Sequence, residues 1–502
     1  MTLLSYSCPC AAGAASCPRK GLSPPPHHEL QSFSLLPCPV PADHGARKGR
    51  KDSLMTALPA NPDLGQLRKQ AKELARADSI ALSEAQFRLA RRYGFPSWPQ
   101  LQAYVRRIAE HGPDVQHAYH QDVEYYHDRA LGLLASAEDG TPDARAAFAR
   151  HKQPLTRTGA LTVIAREHGL PTWRALKAHV ADLPKNGEPF ARAYQLVEAQ
   201  DVDGLTALLA DAPHLAHARG TNGNDLLGMA SATHDERLVR VLLAHGADPA
   251  RANAHGWTAL HQAAYSNLPL IADMLINAGA PLAVSGRGDG GTPLIVALFW
   301  GNRAVAENLA THERSPHNLR VAAGLGDAAL LDELVSPKGT LSPAAGAHRE
   351  FYRPHSGFPS WQPTNDPREI LDESLAWAAR NNQVAALRTL AARGANLDAD
   401  VYRGTALIWA ATCGHSAATE TLLSLSANVN HVGTFGGPRH GVGVTALHLA
   451  AQSNQLDVIE ILVAAGADLT ARDALWDSTP EGWAEACDSP DAQELLRRLR
   501  RH

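Results

Sequence analysis

The chain has 502 residues, a formal net charge of −4 and 44% hydrophobic residues, a composition typical of a soluble globular protein. This charge balance indicates neither a polyanionic nor a polycationic partner, and no stretch approaches the roughly 20 apolar residues that a membrane-spanning helix needs. Six cysteines in a chain of this length do not form a disulfide framework, so we expect a reducing, cytoplasmic location.

The first 54 residues are predicted to be disordered. They are rich in Pro, Ser, Cys and small residues and carry no helical or strand periodicity. The cysteines in this segment are irregularly spaced, which does not favour a zinc site. Met55 is an alternative start for the translated protein.

The next region, residues 55–185, contains an internal duplication with an offset of 75 residues. The letters of residues 85–98 match those of 160–173. Each copy has the pattern of a short amphipathic helix that stops at a glycine, Gly94 or Gly169. A second helix beginning with a tryptophan follows in each copy. We therefore predict two helical hairpins.

The first hairpin is rich in arginine, at Arg88, Arg91, Arg92, Arg106 and Arg107. One hypothesis is that these side chains contact the phosphates of a nucleic acid. The other is that they form the solvated face of a packed cap. We favour the cap, because the second copy is less basic, and we do not expect a nucleic-acid partner.

A polar segment rich in histidine lies between the two copies. His117 and His120 are three residues apart and would share one face of a helix, with Asp122, Glu124 and His127 nearby. A metal site needs three converging ligands with outer support. We favour an exposed helix over a metal site, and we expect neither a metal ion nor a cofactor.

The second half of the chain is repetitive. Thr-Ala-Leu-His at residues 258–261 returns at 445–448, and the steps from Gly246 to Gly279 and from Thr258 to Thr292 are about 33 residues. A fixed period of this length with this signature resembles the ankyrin repeat, a β-turn followed by two helices.

The resemblance implies an all-α fold, an ankyrin-repeat solenoid over residues 189–502 preceded by a small helical domain. The duplicated region before it is similar to the helical N-terminal region of some bacterial ankyrin-repeat proteins, so we expect a bacterial origin. The predicted repeats follow a short capping pair and start near Asp225, Thr258, Thr292, Leu319 (a degenerate copy), Glu373, Thr405 and Thr445, with a closing segment at 479–501. The resemblance also implies that His261 and His448 are structural, each bonding a neighbouring turn.

An insertion at about residues 336–372 interrupts the period. It is unusually aromatic for a loop, with Phe351, Tyr352, His355, Phe358 and Trp361 close together, and such a composition is typical of binding hot spots. Loops of this length in a compact array are usually functional or disordered. One hypothesis is a flap that grips a partner or ligand. The other is a plug that fills the defect left by the degenerate repeat.

The family resemblance implies a non-catalytic scaffold that binds another protein through a concave groove. No nucleophile elbow, phosphate-binding loop or zinc-protease motif is present in the sequence, so we do not expect an enzyme. The groove positions carried over from the family are Tyr265, Trp300, Trp377, Arg380, Tyr402, Arg403 and Trp409.

Two questions stay open at this point. The aromatic row in the groove is either an exposed recognition surface or packing between repeats. The function is either scaffold binding or, as an alternative, a ligand- or metal-dependent enzyme or sensor in which the insertion closes over a pocket.

Overall fold

The computed structural model describes residues 62–93, 95, 97–111, 115–138, 140–186, 188–287, 290–312, 316–354, 361–434 and 442–501. The segment predicted to be disordered, and the insertion residues His355 and Phe358, lie outside the described residues. The described residues form two compact units, one of residues 62–262 and 274–281, the other of 263–273 and 282–501. None of the described helices is both long enough and apolar enough to cross a membrane.

The first unit is built from short α-helices joined by tight turns. Its helices are α1 (Leu64–Ala77), α2 (Leu82–Arg92), α3 (Trp98–His111), α4 (Val123–Glu138), α5 (Pro142–Arg150), α6 (Arg157–Glu167), α7 (Trp173–Asn186), α8 (Pro189–Glu198), α9 (Val202–Asp211), α10 (Leu226–Ala230) and α11 (Glu236–Ala244). Two short 3₁₀ helices, Pro213–His217 and Thr221–Gly223, precede α10.

The sequence duplication is visible in the helices themselves. Helices α2 and α6 start and end 75 residues apart, and so do α3 and α7. Gly169 ends the α6 turn with a φ of +69°, a conformation that costs glycine little. The two hairpins have separate cores, one around Phe95 and Leu101 and one around Phe148 and Leu176.

A buried polar network occupies the same unit. Both carboxylate oxygens of Glu188 accept hydrogen bonds from the Arg107 guanidinium at 3.0 Å, and the rings of His117 and His179 stand 3.6 and 3.7 Å from that carboxylate. The Arg107 charge and the histidines hold the pKa of Glu188 below its usual range, even though burial acts in the opposite direction. Arg107 is therefore not available to contact a nucleic acid.

The histidine-rich segment does not form the predicted exposed helix. His117 and His120 lie in extended backbone before α4, and His117 is 3% exposed. The His117 backbone N–H donates to the Arg219 carbonyl, and its ring stacks between Tyr104 and Phe190. The helical prediction is wrong because pairing with a neighbouring segment outweighs the local spacing of the two histidines.

The second unit is a succession of paired helices. Helices α12 (Ala259–Tyr265) and α13 (Pro269–Asn277) contain residues of both units. The others are α14 (Pro293–Trp300), α15 (Arg303–His312), α16 (Leu319–Leu325), α17 (Ala328–Leu334), α18 (Pro367–Arg380), α19 (Val384–Ala392), α20 (Ala406–Thr412), α21 (Ser416–Ser424), α22 (Ala446–Gln452), α23 (Leu456–Ala464), α24 (Pro480–Ala486) and α25 (Pro490–Leu499).

Each pair begins and ends as its sequence dictates. The Thr405 hydroxyl accepts the Ile408 N–H at the start of α20, a standard N-cap. Gly301 ends α14 with a φ of +71°, and a Cβ there would lie 2.3 Å from a backbone oxygen. Single residue pairs, such as Gly433 with Val444, close the connecting turns as isolated β-bridges.

His448 has the structural role that the family resemblance implies. The Thr445 N–H donates to Nδ1 of His448 at 3.1 Å, and Nε2 of His448 lies 3.1 Å from the Ser478 carbonyl oxygen of the next turn. His261 makes the same contact with the Thr258 N–H. Both rings are fully buried.

One boundary differs from the prediction. The repeat expected to start near Glu373 has its first helix, α18, beginning at Pro367. Asp366 caps that helix, accepting the Arg368 N–H at 2.9 Å, and Pro367 occupies the first turn. The insertion therefore ends at residue 366 rather than at residue 372.

Because it contains buried histidines, we expect the first unit to lose stability as the pH falls. Burial lowers the pKa of His168 to about 4, from an ordinary 6.5. At a pH between about 4 and 6.5, His168 binds a proton in the unfolded chain but not in the folded chain. The free energy of unfolding therefore falls as the pH falls. For one histidine the slope is at most about 1.4 kcal/mol per pH unit. We expect His168→Gln to flatten this dependence in urea denaturation, while substitution of the exposed His217 leaves it unchanged.

Candidate partner-binding site

Three partly exposed aromatic rings of the second unit face one another. The Trp361 ring lies 5.5 Å from that of Tyr402 at 30°, and the Phe351 ring meets both edge-on, at 6.0 and 5.1 Å. Phe351 and Trp361 come from the insertion, whereas Tyr402 comes from the turn between α19 and α20. We call these three residues the aromatic triad.

A second layer of rings lies beneath the triad. Tyr352 is 3% exposed, its hydroxyl accepts the Trp300 indole N–H at 3.2 Å, and its ring meets Phe299 edge-on at 5.2 Å. Burial raises the pKa of Tyr352 to about 12, so its hydroxyl stays neutral. This layer fixes the backbone on which Phe351 stands.

Arg380 is packed between two aromatic faces. Its guanidinium carbon lies 4.0 Å from the Phe299 ring centre and 3.7 Å from that of Trp409, and one N–H donates to the Phe299 carbonyl at 3.3 Å. The side chain is 2% exposed. A desolvated cation–π stack contributes about 2 kcal/mol, so Arg380 works as a structural cation between helices α14, α18 and α20.

A buried ion-pair network joins the insertion to α18. Glu373 accepts from Arg320 at 3.1 Å and from Arg349 at 2.5 Å, one arginine on each carboxylate oxygen. Arg349 also pairs with Glu369 at 3.0 Å. Arg320 stacks on the ring of Trp377 at 4.8 Å. Because Arg320, Arg349 and Glu373 are at most 4% exposed, these charges depend on one another.

Backbone contacts fix the insertion further. Arg320 donates to the Glu350 carbonyl at 3.0 Å, and Asn318 donates to the His348 carbonyl at 3.0 Å. Both donors lie in or next to α16, the degenerate repeat. The described part of the insertion thus packs against this repeat as the plug hypothesis expects, while its outer rings stay partly exposed.

The triad and its base enclose a cleft whose lining is mostly aromatic. Its polar members among the described residues include Glu373, which is engaged by two arginines, and Arg320 and Arg380, which lie against rings. Such a lining, mostly apolar with a few placed polar groups, is typical of contact surfaces in proteins. The cleft is lined by Phe299, Arg320, Phe351, Tyr352, Trp361, Glu373, Ala376, Trp377, Arg380, Val401 and Tyr402.

The groove residues predicted from the sequence divide by exposure. Five of them are buried: Trp300, Trp377, Arg380, Arg403 and Trp409. The hypothesis of an exposed tryptophan row is therefore wrong, because these rings pack beneath the insertion and against arginines. Tyr265, Phe351, Trp361 and Tyr402 are partly exposed.

Sequence reasoning missed the base of the site. Phe299 and the three buried charges, Arg320, Arg349 and Glu373, are essential to its geometry. The sequence does indicate that Phe299 is buried, since α14 is apolar on every face and all its residues are buried. The sequence does not indicate the ion pairs, because their partners are far apart along the chain.

Two places outside the cleft bring a histidine close to a carboxylate, at His348 and at His127. His348 is 74% exposed and lies 3.8 Å from Glu350. In the described part of the chain, one group has potential metal-ligand spacing, Glu124, His127 and Asp128. Arg157 lies 2.7 Å from Nε2 of His127 and can only donate, which assigns the imidazole proton to Nδ1. That nitrogen, which faces both carboxylates, is then not free to bind a cation.

We expect the second unit to lose stability when the charge of Glu373 is removed. In Glu373→Gln two buried guanidinium groups lose their shared carboxylate, so we expect the free energy of unfolding to fall by about 3–5 kcal/mol, measured by urea denaturation followed through tryptophan fluorescence. Glu307→Gln, which breaks a half-exposed pair with Arg303, is the control and should cost at most about 1 kcal/mol. Equal effects of the two substitutions would contradict the buried network.

The protein-family model for ankyrin repeats matches the chain in three copies, at residues 193–285, 227–321 and 375–473. "Ankyrin repeat and SOCS box protein 6" from Homo sapiens and the protein of that name from Pongo abelii are each 33% identical to this chain over 135 residues. Each match covers 26% of this chain and 30% of the relative, so the chain spans about a third of these relatives' length. With its paired helices, Thr-capped starts and structural histidines, the chain is an ankyrin-repeat protein with an all-α solenoid fold.

Proposed function

We propose that the chain is a non-catalytic scaffold that binds a protein partner through the aromatic triad. The observation that carries this proposal is three partly exposed rings, Phe351, Trp361 and Tyr402, held on a fully buried base. Ankyrin repeats typically mediate protein–protein interaction, which supports the proposal.

The buried base favours tight binding because it limits how much of this chain must become ordered when a partner binds. Arg380 is fixed between two rings, and Arg349 ties the insertion to α18 through Glu373. Rings held in this way lose little conformational entropy on association. Aromatic side chains at the centre of a contact also supply most of its energy. We therefore assign the recognition role to the triad and a supporting role to the buried Trp300, Trp377, Arg380, Arg403 and Trp409.

The enzyme or sensor alternative is less well supported. It needs a histidine and a free carboxylate facing the cleft, but His348 points to solvent and Glu373 is engaged by two arginines. A flap that opens would also break the buried contacts of Arg349. The absence of catalytic activity stays a prediction, as do the cytoplasmic location and the bacterial origin.

Nucleic-acid binding through the first hairpin is also less well supported. Arg107 is buried against Glu188, and Arg88 pairs with Asp78 and Glu84 on the helix surface. Two of the five arginines considered from the sequence thus already have acidic partners.

The proposal predicts a localised loss of binding. We expect Trp361→Ala and Tyr402→Ala to abolish or strongly weaken capture of the partner from lysate of the source organism, since truncating a hot-spot aromatic costs about 2 kcal/mol or more. The measurement is affinity capture with the full chain, quantified by mass spectrometry. Phe87→Ala is the matched control, because this ring is 48% exposed and lies in the first unit.

Two results would argue against the proposed site. A partner retained by both triad variants would move the binding surface elsewhere on the repeats. A partner lost equally with Phe87→Ala would indicate a general effect on folding or solubility. Circular dichroism of each variant separates that second outcome from a true loss of contact.

A further inference from the structure

Arg129, on α4 of the first unit, is a partly buried cation without a carboxylate partner among the described residues. Its guanidinium carbon lies 4.7 Å from the ring centre of Tyr125, and its Nε is buried with no hydrogen-bond partner. Buried charges in proteins are normally paired, and an unsatisfied buried donor indicates a missing water or ion. The Arg129 side chain therefore combines a positive charge with an unsatisfied donor.

Three tyrosine hydroxyls lie in the same neighbourhood. The Tyr119 and Tyr125 hydroxyls are in direct hydrogen-bond contact, and the Tyr119 ring lies 4.5 Å from that of Tyr194. Burial raises the pKa of Tyr119 and of Tyr194, while the charge of Arg129 opposes the shift in both. The hydroxyls of Tyr119 and Tyr194 are thus neutral hydrogen-bond donors that interact electrostatically with Arg129.

The hydroxyl protons are not all used within the cluster. Tyr194 donates its proton to Glu198 at 2.5 Å. Of the two protons on Tyr119 and Tyr125, one bridges the two oxygens. The other has no further acceptor among the residues that the structure describes. One phenol O–H and the Arg129 Nε–H therefore remain as donors.

The surrounding groups limit what could accept from these donors. His120 stacks on Tyr125 at 4.5 Å, and burial lowers its pKa, which keeps the ring neutral. Glu198, whose pKa is raised by burial, already accepts the Tyr194 proton. Arg129 and the Tyr119–Tyr125 pair thus contribute one positive charge and two hydrogen-bond donors.

We propose that Arg129, Tyr119 and Tyr125 form a binding site for a small oxyanion, a phosphate or carboxylate group of a free small molecule. An oxyanion satisfies the guanidinium charge and both donors at once, which a water molecule cannot do. A cation would be repelled by Arg129, and a neutral apolar group would leave the donors unsatisfied. This site is independent of the aromatic triad proposed for the protein partner.

The test is anion binding by the full chain. Sodium phosphate and sodium succinate serve as probes, each compared with sodium chloride at equal ionic strength. Scanning calorimetry follows the Tm and isothermal calorimetry gives the Kd. We expect a saturable rise in Tm with at least one probe, because a ligand that binds only the folded state stabilises it. The preferred probe then identifies the phosphate or carboxylate class.

Variants assign the binding to these residues. Arg129→Gln should weaken it about tenfold or more, the effect expected of a charge-assisted hydrogen bond. Tyr125→Phe keeps the cation and the ring and should weaken it by a smaller factor. It also tests the site if Arg129→Gln does not fold. Arg192→Gln, an exposed arginine on α8, should bind as the wild type does.

The proposal is overturned if neither probe raises the Tm above the chloride reference. It is equally overturned if Arg129→Gln and Tyr125→Phe both bind with wild-type affinity, or if Arg192→Gln weakens binding as much as they do. In the last two cases any stabilisation would come from general surface charge.

Discussion

The carboxylate of Glu373 is the interaction on which the second unit depends. It accepts from Arg320, which belongs to the degenerate repeat, and from Arg349, which belongs to the insertion. One buried group thus ties a shortened helix pair, a long loop and helix α18 together. Buried ion pairs contribute little net stability compared with apolar packing, but they reject arrangements in which a charge is left without its partner. The network therefore selects one position for the insertion.

The position of the insertion determines which of its aromatic side chains are buried and which are exposed. A repeat array with a shortened member exposes apolar surface that a regular neighbour would cover. Here the insertion covers it with Tyr352, and the same segment presents Phe351 and Trp361 beside Tyr402. A fixed plug and a partner-contacting surface are thus compatible in this chain. The inner face of the described segment is structural, and its outer face is where we place partner contact.

Much of the fold could be predicted from the sequence because ankyrin repeats encode their boundaries locally. Thr405 and Thr445 mark helix starts, and Gly301 marks an end that no side chain would fit. The site was less predictable. Whether Trp377 is exposed depends on Arg320 and on the insertion packed above it, and neither is a neighbour in sequence. Extended pairing at His117 was missed for the same reason.

Native-state hydrogen exchange on the full chain can show whether the insertion is a fixed part of the second unit. The Arg353 N–H donates to the Arg287 carbonyl at 3.1 Å, and the Ser342 N–H to the Leu334 carbonyl at 2.9 Å. We predict that both amides exchange slowly, with protection close to that of the α18 amides, because opening the segment would break the Glu373 network. Free exchange of both amides, while α18 stays protected, would show that the insertion opens independently of α18 and is not a fixed part of the unit.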